Sequence, residues 1–239
     1  MTDSRQALAA LEVCQLHGGW GQTTIVEGVS LTVAAGETVS IIGRNGVGKT
    51  TLLELICGRA QRHAGQIRIG NIDCSTLRTF RRSEGGLGYV PQEREIFPSL
   101  TVRENLSIAL RPGPWGEERA FSMFPSLARR AKSMGWQLSG GEQQMLSIAR
   151  ALMGNPAVLL MDEPTEGLAP VIVEQLVEVL ANVVADGKLA VLLIEQRIDV
   201  VLHLASRCLI MDRGRIVHEE SSASLRTDPT RIGNLMGFD

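Results

Sequence analysis

The residue types and spacing most suited to chemistry stand in one glycine-rich segment, Gly43-Arg44-Asn45-Gly46-Val47-Gly48-Lys49-Thr50. Its pattern, G-x-x-x-x-G-K-[ST], is that of a phosphate-binding loop when a strand precedes it and a helix follows it. Gly43, Gly46 and Gly48 would let backbone N–H groups turn toward phosphate oxygens, and the start of the helix adds a partial positive charge. An ordinary glycine-rich turn is the alternative, but the apolar run before the segment and the helical spacing after it favour the phosphate-binding loop.

Two side chains in this loop indicate the ligand more closely. Lys49 is expected to reach the β- and γ-phosphates of a nucleotide, and the hydroxyl of Thr50 can ligate Mg²⁺. Asn45 within the loop and Thr51 directly after it are expected to contact the same nucleotide. The expected ligands are therefore ATP and Mg²⁺.

A pair of adjacent carboxylates forms the second chemical feature. Asp162 and Glu163 follow the apolar run 158–161, and an aspartate at a strand end is the expected second Mg²⁺ ligand beside a phosphate-binding loop. The pair can divide the work, with Asp162 on the metal and Glu163 orienting or deprotonating the attacking water. A solvated acidic turn before Pro164 is the alternative. The phosphate-binding loop upstream favours the catalytic interpretation.

These residues must be positioned by strands and helices that alternate along the chain. Short apolar runs bounded by glycine or charge predict buried strands at 39–42, 87–90, 157–161 and 189–194. Stretches whose apolar residues recur every three or four positions predict helices at 50–57, 141–153 and 171–184. The fold class predicted from this alternation is α/β, with a mostly parallel sheet covered by helices on both faces.

Three segments depart from that alternation. Residues 1–35 look like antiparallel strands, and residues 207–218 suggest a hairpin. Residues 99–137 are mostly helical around a break at Arg111-Pro112-Gly113-Pro114, so they are interpreted as an inserted helical lobe.

The composition of the chain argues against several classes of protein. The chain has 239 residues, 44% of them apolar and 21% charged, which suffices for one large α/β domain. The formal charge is −2, so nucleic-acid binding by charge alone is disfavoured. The four cysteines match no zinc or redox spacing and are interpreted as reduced, small apolar residues. The longest apolar run has six residues, whereas a membrane span needs about 20, so we expect neither secretion nor a span.

A third motif carries a family resemblance. Leu138-Ser139-Gly140-Gly141-Glu142-Gln143-Gln144 resembles the signature motif of ATP-binding cassette (ABC) ATPases, and it precedes the strand of Asp162, as that family requires. Its glycines again free backbone N–H groups at a helix start, which makes a second anion site. The resemblance implies a head-to-tail dimer in which residues 139–142 of one subunit lie over the γ-phosphate held by the other.

Other residues are assigned by the same resemblance. Gln92 in Tyr89-Val90-Pro91-Gln92 resembles the glutamine that touches Mg²⁺ and the attacking water, so it joins Thr50 and Asp162 as a metal-site residue. Trp20 stands where the family places an aromatic residue that stacks on adenine. A core tryptophan is the alternative for Trp20, because aromatic residues are scarce here and most such residues are buried. The flanking glycines favour an exposed ring.

Two departures from the family pattern indicate one branch. The switch histidine is absent, and Gln196 in Glu195-Gln196-Arg197 would have to contact the γ-phosphate, as an amide that donates a hydrogen bond but takes up no proton at neutral pH. Ala169 replaces an aspartate that many relatives carry in the loop after Glu163. Both features resemble the ATPases of branched-chain amino acid importers and of their urea and amide relatives, so the solute is expected to be a branched-chain amino acid, with urea or short amides as the alternative.

The resemblance also implies the organisation and the partners. Residues 1–239 would form one ABC cassette, with 1–98 and 138–239 as a RecA-like, P-loop NTPase core bearing an N-terminal antiparallel β subdomain, and 99–137 as the helical subdomain. The cassette would pair with itself or with a second similar ATPase, on the cytoplasmic face of the inner membrane, as a peripheral partner of integral permease subunits. A periplasmic or extracellular solute-binding protein would act indirectly, and no nucleic acid is expected.

Two other functions are possible for a chain with these motifs, and the sequence disfavours both. A soluble ABC ATPase of DNA repair or translation usually has long coiled-coil inserts or two cassettes, for which 239 residues leave no room. A nucleotide-binding regulator without turnover would lack the catalytic base, whereas Glu163 is present.

The surface expected to receive a permease helix runs from Gln92 through the helical lobe. Arg94, Phe97, Phe121, Phe124 and Leu127 mix charge with large apolar groups, as interfaces do. The last three stand at helical spacing, which is more typical of a lobe core.

Overall fold

The computed structural model describes residues 9–227, which form two β-sheets and the helices around them. The strands are β1 (Ala9–Trp20), β2 (Thr23–Ala34), β3 (Thr38–Ile42), β4 (Gln61–Ile69), β5 (Ile72–Asp73), β6 (Leu87–Val90), β7 (Val158–Asp162), β8 (Ala190–Ile194), β9 (Arg207–Asp212) and β10 (Arg215–Ser221). The α-helices are α1 (Lys49–Cys57), α2 (Thr79–Glu84), α3 (Val102–Ile108), α4 (Glu117–Met123), α5 (Pro125–Arg129), α6 (Gly140–Met153), α7 (Pro170–Ala185), α8 (Ile198–Leu204) and α9 (Ser222–Thr227), and a 3₁₀ turn covers Gly135–Gln137.

The larger sheet has six strands in the order β10-β9-β3-β8-β7-β6. All its pairs are parallel except β9 with β10, which form the predicted hairpin. Strands β3, β7 and β8 are buried along their whole length, because helices and the second sheet cover both faces. The predicted α/β class with a mostly parallel sheet is confirmed.

The order of this sheet brings three loops to one edge. Strand β8 lies between β3 and β7, with Ile41 and Asp162 each opposite Ile194. The loops that follow these three strands therefore leave the sheet side by side, and the carboxyl edge of a parallel sheet is where such folds bind ligands. They contain residues 43–48, 163–169 and 195–197.

The smaller sheet is antiparallel and has the order β2-β1-β4-β5. Its long β1–β2 hairpin turns at Gly21, next to the pair Trp20 and Thr23. Apolar side chains of both sheets and of α1 form one core between them. The predicted antiparallel N-terminal strands are confirmed from residue 9 on, and the first eight residues of that prediction lie outside the described part.

The segment 99–137 contains α3, α4, α5 and the 3₁₀ turn, as its sequence predicts. Phe124 and Leu127 are fully buried in a second core shared with α6, α7 and the other face of the larger sheet. The core interpretation of these two residues is thus confirmed, whereas Phe97 is exposed. The assignment of 99–137 as a separate subdomain stays a prediction.

No helix within residues 9–227 is both long and apolar enough to span a membrane. The four cysteines carry free thiols; Cys57, Cys74 and Cys208 are buried, as expected of small apolar residues, but Cys14 is exposed because it lies on an outward position of β1.

Candidate active site

The phosphate loop turns sharply between β3 and α1. Gly46 and Gly48 have φ of +81° and +107°, a left-handed range that favours glycine. A side chain at Gly43 would place its Cβ only 2.4 Å from the carbonyl oxygen of Met211. These glycines therefore permit the tight path that the sequence pattern predicts, with the first turn of α1 behind it.

Lys49 is the first residue of α1 and is 5% exposed. Its ammonium donates hydrogen bonds to the carbonyl oxygens of Gly43 at 2.8 Å and Arg44 at 3.0 Å. It also lies 3.8 Å from a carboxylate oxygen of Glu163. The cation is thus held at the mouth of the loop, beside the residue proposed as base.

Asp162 ends β7 and is fully buried. Neither of its carboxylate oxygens makes a hydrogen bond of ordinary geometry to the described residues, and the Thr50 hydroxyl beside them is at most a weak donor. Burial, with the negative charges of Glu163 and Glu54, raises the pKa of Asp162 to about 6, although Thr50 and Lys49 oppose the rise. A buried carboxylate that lacks donors is costly when ionised, so Asp162 suits a cation ligand.

Glu163 has a left-handed backbone with φ of +45°, and its N–H donates to the carbonyl oxygen of Ile194 at 2.9 Å. Such a conformation is rare outside glycine and is found at functional sites. It turns the Glu163 side chain away from the course of β7 and toward the phosphate loop. There its carboxylate meets the side-chain amide of Gln196 at 2.8 and 2.7 Å.

Gln196 links Glu163 to the phosphate loop. Its amide nitrogen also donates to the side-chain oxygen of Asn45 at 2.8 Å. The resemblance assigns Gln196 to the γ-phosphate, and the structure brings it to Glu163 and Asn45, at the same edge of the sheet. Its donor can therefore both hold the carboxylate and face a phosphate group at this edge.

A cavity of about 320 Å³, here called the loop cavity, opens over these groups. Its lining residues are Ile25, Asn45, Gly46, Gly48, Lys49, Thr50, Thr51, Gln92, Glu163, Glu166 and Gln196. Gln92 donates to the carboxylate of Glu166 at 2.5 Å. Most of the predicted phosphate-loop residues thus lie together with Gln92, Glu163 and Gln196, whereas Asp162 is buried and does not line the cavity.

Trp20 is 50% exposed, so the alternative of a core tryptophan is wrong. The ring is not among the residues that line the loop cavity, which Ile25 of the next strand reaches instead. Its hairpin is fastened by His63, whose ring contacts the hydroxyl of Thr24 and the carbonyl oxygen of Gly21, both at 2.9 Å. Stacking of Trp20 on adenine stays a prediction.

The signature segment begins α6 with a reciprocal cap. The Glu142 carboxylate accepts from the backbone N–H and the hydroxyl of Ser139, both at 2.9 Å, and the Glu142 N–H donates to the Ser139 hydroxyl. Burial opposes ionisation of Glu142, but these bonds and Arg130 outweigh it and lower the pKa of Glu142. A Cβ at Gly141 would lie 2.6 Å from Ile172 of α7, which explains the glycine there.

The signature residues do not meet the phosphate loop of their own chain. None of residues 139–142 is among those that line the loop cavity. Gly140 instead neighbours Arg94, whose Nε donates to the side-chain oxygen of Gln144 at 3.3 Å. Arg94 is therefore half-buried against the signature helix, and its place on a docking surface stays a prediction.

Sequence reasoning missed four residues of this region. Glu166 and Ile25 line the loop cavity, and Glu195 and Thr165 form a buried pair beside it. Glu166 and Thr165 stand within three residues of Glu163, and Glu195 precedes Gln196, so proximity to assigned residues was the available signal. Ile25 carries no such signal, because β2 reaches the cavity only through the packing of the two sheets.

A second cavity, of about 660 Å³ and here called the lobe groove, lies between the larger sheet and the helical segment. Exposed apolar side chains of Phe97, Ile108 and Leu110 line it beside Arg59 and Arg150. The Nη1 atom of Arg150 is buried without a hydrogen-bond partner among the described residues. Burial lowers the pKa of Arg150. The groove thus combines an apolar wall with a cation that can take a further acceptor.

The chain is similar in sequence and in fold to known proteins. Residues 26–166 match the family described as ABC transporter. The chain is similar to the high-affinity branched-chain amino acid transport ATP-binding protein BraG of Pseudomonas aeruginosa, with 37% identity over 88% of this chain and 92% of that protein. It is similar to the lipopolysaccharide export system ATP-binding protein LptB of Escherichia coli, with 34% identity over 92% of this chain and 94% of that protein. A solved ATP-binding cassette, a dimer in a post-hydrolysis state bound to ADP and Pi, superposes with a TM-score of 0.77 at 29% identity, over 89% of this chain and 98% of that one.

Proposed function

The chain belongs to the ABC transporter family as an ATP-hydrolysing subunit, and from that premise we propose that it powers the import of a branched-chain amino acid. The observation that carries the choice of solute is the 37% identity to BraG over nearly the full length of both chains. The Glu-Gln switch and Ala169 point to the same branch. LptB, at 34% identity, serves a different substrate, so the choice of solute rests on the switch and loop residues together with the identity to BraG.

The proposed hydrolysis assigns one task to each residue of the loop cavity. Lys49 pairs with the β- and γ-phosphates, exchanging its bonds to loop carbonyls for bonds to phosphate oxygens. Glu163 accepts the proton of the water that attacks the γ-phosphorus, while the bond to the β-phosphate oxygen breaks and ADP leaves. Gln196 orients the Glu163 carboxylate and donates toward the charge that develops on the γ-phosphate.

The residues present fit Mg²⁺. Asp162 supplies two buried oxygens that make no hydrogen bond of ordinary geometry, and Thr50, which lies beside it and lines the loop cavity, supplies a hydroxyl. Gln92 is the third residue assigned to this site. When bound, the ion neutralises charge on the β- and γ-phosphates.

The proposed dimer completes the site. Since residues 139–142 do not line the loop cavity of their own chain, a second cassette must supply them. The N-terminus of α6, with Ser139 as its cap, then offers donors to the γ-phosphate. The dimeric ADP-bound neighbour supports this arrangement, and the partner is a second copy or a similar cassette.

We assign the lobe groove to the permease. Its apolar wall suits a short amphipathic helix, and the buried Arg150 nitrogen suits an acidic or carbonyl group on that helix. This contact would hold the chain as a peripheral subunit on the cytoplasmic face of the membrane. The solute-binding protein lies on the other side and would act on the chain only through the permease.

An uptake measurement tests the solute. In the source organism, the chromosomal copy is replaced by a Lys49→Ala variant, and uptake of labelled leucine and of labelled urea is compared with the parent strain. We expect leucine uptake to fall to background and urea uptake to persist. Loss of urea uptake with normal leucine uptake would assign the chain to the urea branch, and unchanged uptake of both would overturn import of either solute.

A further inference from the structure

A buried carboxylate next to the active site has no role in the proposed chemistry. Glu195 follows the last residue of β8 and is 2% exposed, and it stands directly before the switch residue Gln196. An ionisable side chain is rarely buried so completely unless it is paired or bonded. Its partners therefore indicate what it does.

The Glu195 carboxylate bonds to two loops. One oxygen accepts from the Thr165 hydroxyl at 2.6 Å, and Thr165 is 3% exposed. The other oxygen accepts from the backbone N–H groups of Gln196 at 2.8 Å and of Arg197 at 3.0 Å. The carboxylate thus joins the loop after β7, which carries Glu163, to the loop after β8, which carries Gln196.

We infer that Glu195 is a positioning residue that keeps the carboxylate of Glu163 and the side-chain amide of Gln196 within hydrogen-bonding distance of each other. This inference rests on the proposed roles of Glu163 and Gln196. The amide nitrogen of Gln196 lies 2.8 and 2.7 Å from the two carboxylate oxygens of Glu163. Hydrogen bonds between two flexible side chains keep this geometry only when both backbones are fixed. Across the two loops, the N–H of Glu163 bonds to Ile194 on one side and Glu195 bonds to Thr165 on the other. Glu195 does not itself line the loop cavity, so it acts through its neighbours.

The alternative is a purely structural role, in which Glu195 only stabilises the fold. The two roles differ in kinetics. A loosened pair of Glu163 and Gln196 lowers kcat, because a displacement of about 1 Å in a catalytic arrangement costs about 10²-fold in rate. The phosphate loop follows another strand, and Lys49 keeps its own bonds to the carbonyl oxygens of that loop. KM for ATP is therefore expected to change little, although Gln196 also contacts Asn45. A structural role lowers the melting temperature and leaves kcat of the folded protein unchanged.

The experiment compares steady-state ATP hydrolysis by the full chain for Thr165→Val, Glu195→Gln and the double variant. Thr165→Val removes the hydroxyl without changing the shape. Glu195→Gln keeps one acceptor for the two backbone N–H groups, but its amide can only donate to the Thr165 hydroxyl, so the charge-assisted bond becomes a weaker neutral one. We expect Thr165→Val to lower kcat by about 10- to 100-fold and Glu195→Gln to lower it by a smaller factor, with KM for ATP within about twofold of the parent in both. Because the two residues share one bond, the double variant is expected to be no slower than the slower single variant.

Two further variants serve as controls. Thr165→Ser retains the hydroxyl and is expected to recover most of the rate. Thr32→Val removes a hydroxyl from an exposed position of β2 and is expected to hydrolyse ATP as the parent does. If Glu195→Gln does not fold, Thr165→Val carries the test alone.

The inference is overturned if Thr165→Val has the parent kcat, if KM rises as much as kcat falls, or if the effects of the two changes add. A parallel Glu163→Gln variant separates this failure from that of the proposed mechanism. When Glu163→Gln abolishes hydrolysis but Thr165→Val does not slow it, only the positioning role is wrong. When Glu163→Gln hydrolyses ATP normally, the proposed base itself is wrong.

Discussion

Replacement of Asp162 by asparagine is expected to stabilise the protein when metal and nucleotide are absent. The ionised carboxylate is buried with no hydrogen bond of ordinary geometry to the described residues, and burial raises its pKa from 3.8 to about 6 although the Thr50 hydroxyl opposes the rise. The folded protein therefore binds this proton more tightly than the unfolded chain does. Since the unfolded chain is ionised first, the free energy of unfolding falls as pH rises from about 4 to about 6.

The size of this effect follows from the two pKa values. A pKa shift of one unit equals about 1.4 kcal/mol. The shift of the Asp162 pKa from 3.8 to about 6 therefore lowers the free energy of unfolding by about 3 kcal/mol at neutral pH. At pH 4.5 Asp162 is protonated in most folded molecules, and the loss in free energy of unfolding falls to about 1 kcal/mol. Asp162→Asn has nearly the same shape and no charge, so its gain over the parent is expected to be about 3 kcal/mol at pH 7.5 and about 1 kcal/mol at pH 4.5.

The assay is urea denaturation in EDTA at both pH values, with Asp199→Asn as the matched control. Asp199 is exposed, and its hydrogen bond with Arg197 lowers its pKa, so its replacement is expected to give no gain at pH 7.5. Addition of MgATP should raise the melting temperature of the parent more than that of Asp162→Asn. No gain for Asp162→Asn at pH 7.5, or an equal gain at both pH values, would refute the electrostatic account of this residue.

Four further outcomes are expected. Glu163→Gln should lower single-turnover hydrolysis by about 10² or more while retaining ATP binding, and hydrolysis within about tenfold of the parent would contradict its role as base. Trp20→Ala should weaken ATP binding about tenfold or more and Trp20→Tyr should weaken it little, as measured by nucleotide titration, whereas unchanged affinity in Trp20→Ala would exclude stacking. Gln196→Ala should lower kcat by up to about 10² to 10³, and Gln196→His should retain much of the rate; a parent rate in Gln196→Ala would place the γ-phosphate contact elsewhere. Leu110→Glu should leave hydrolysis by the isolated chain intact and reduce solute-stimulated hydrolysis in the assembled transporter, and equal loss in both assays would exclude the lobe groove as the permease site.

Features that depend on neighbouring residues could be predicted from the sequence. The phosphate loop is one continuous segment whose glycines set its own backbone path, so its spacing suffices to identify it. The uninterrupted apolar run of β8 predicts burial on both faces without knowledge of its neighbours. For the same reason the acid pair could be placed at the end of a buried strand.

Contacts between distant segments could not be predicted in this way. Gln196 and Asn45 are 151 residues apart, and only the strand order places their loops side by side. The bond of Arg94 to Gln144 likewise depends on how the loop after β6 lies against α6. Helical spacing placed Phe124 and Leu127 on one face of the lobe, but only packing shows that this face is buried. Side-chain type gives the chemistry of these groups, whereas tertiary packing decides which of them meet.

The separation of the signature helix from the loop cavity within one chain has a genetic consequence. In a homodimer, the Lys49→Ala variant has a defective phosphate loop and an intact signature segment. The Ser139→Ala variant has an intact phosphate loop and a defective signature segment. When both alleles are expressed equally, random pairing gives about half mixed dimers, each with one doubly damaged site and one undamaged site. Provided that one undamaged site drives transport, two alleles that are each inactive complement one another in the same cell, whereas a chain that pairs only with a different cassette would show no such complementation.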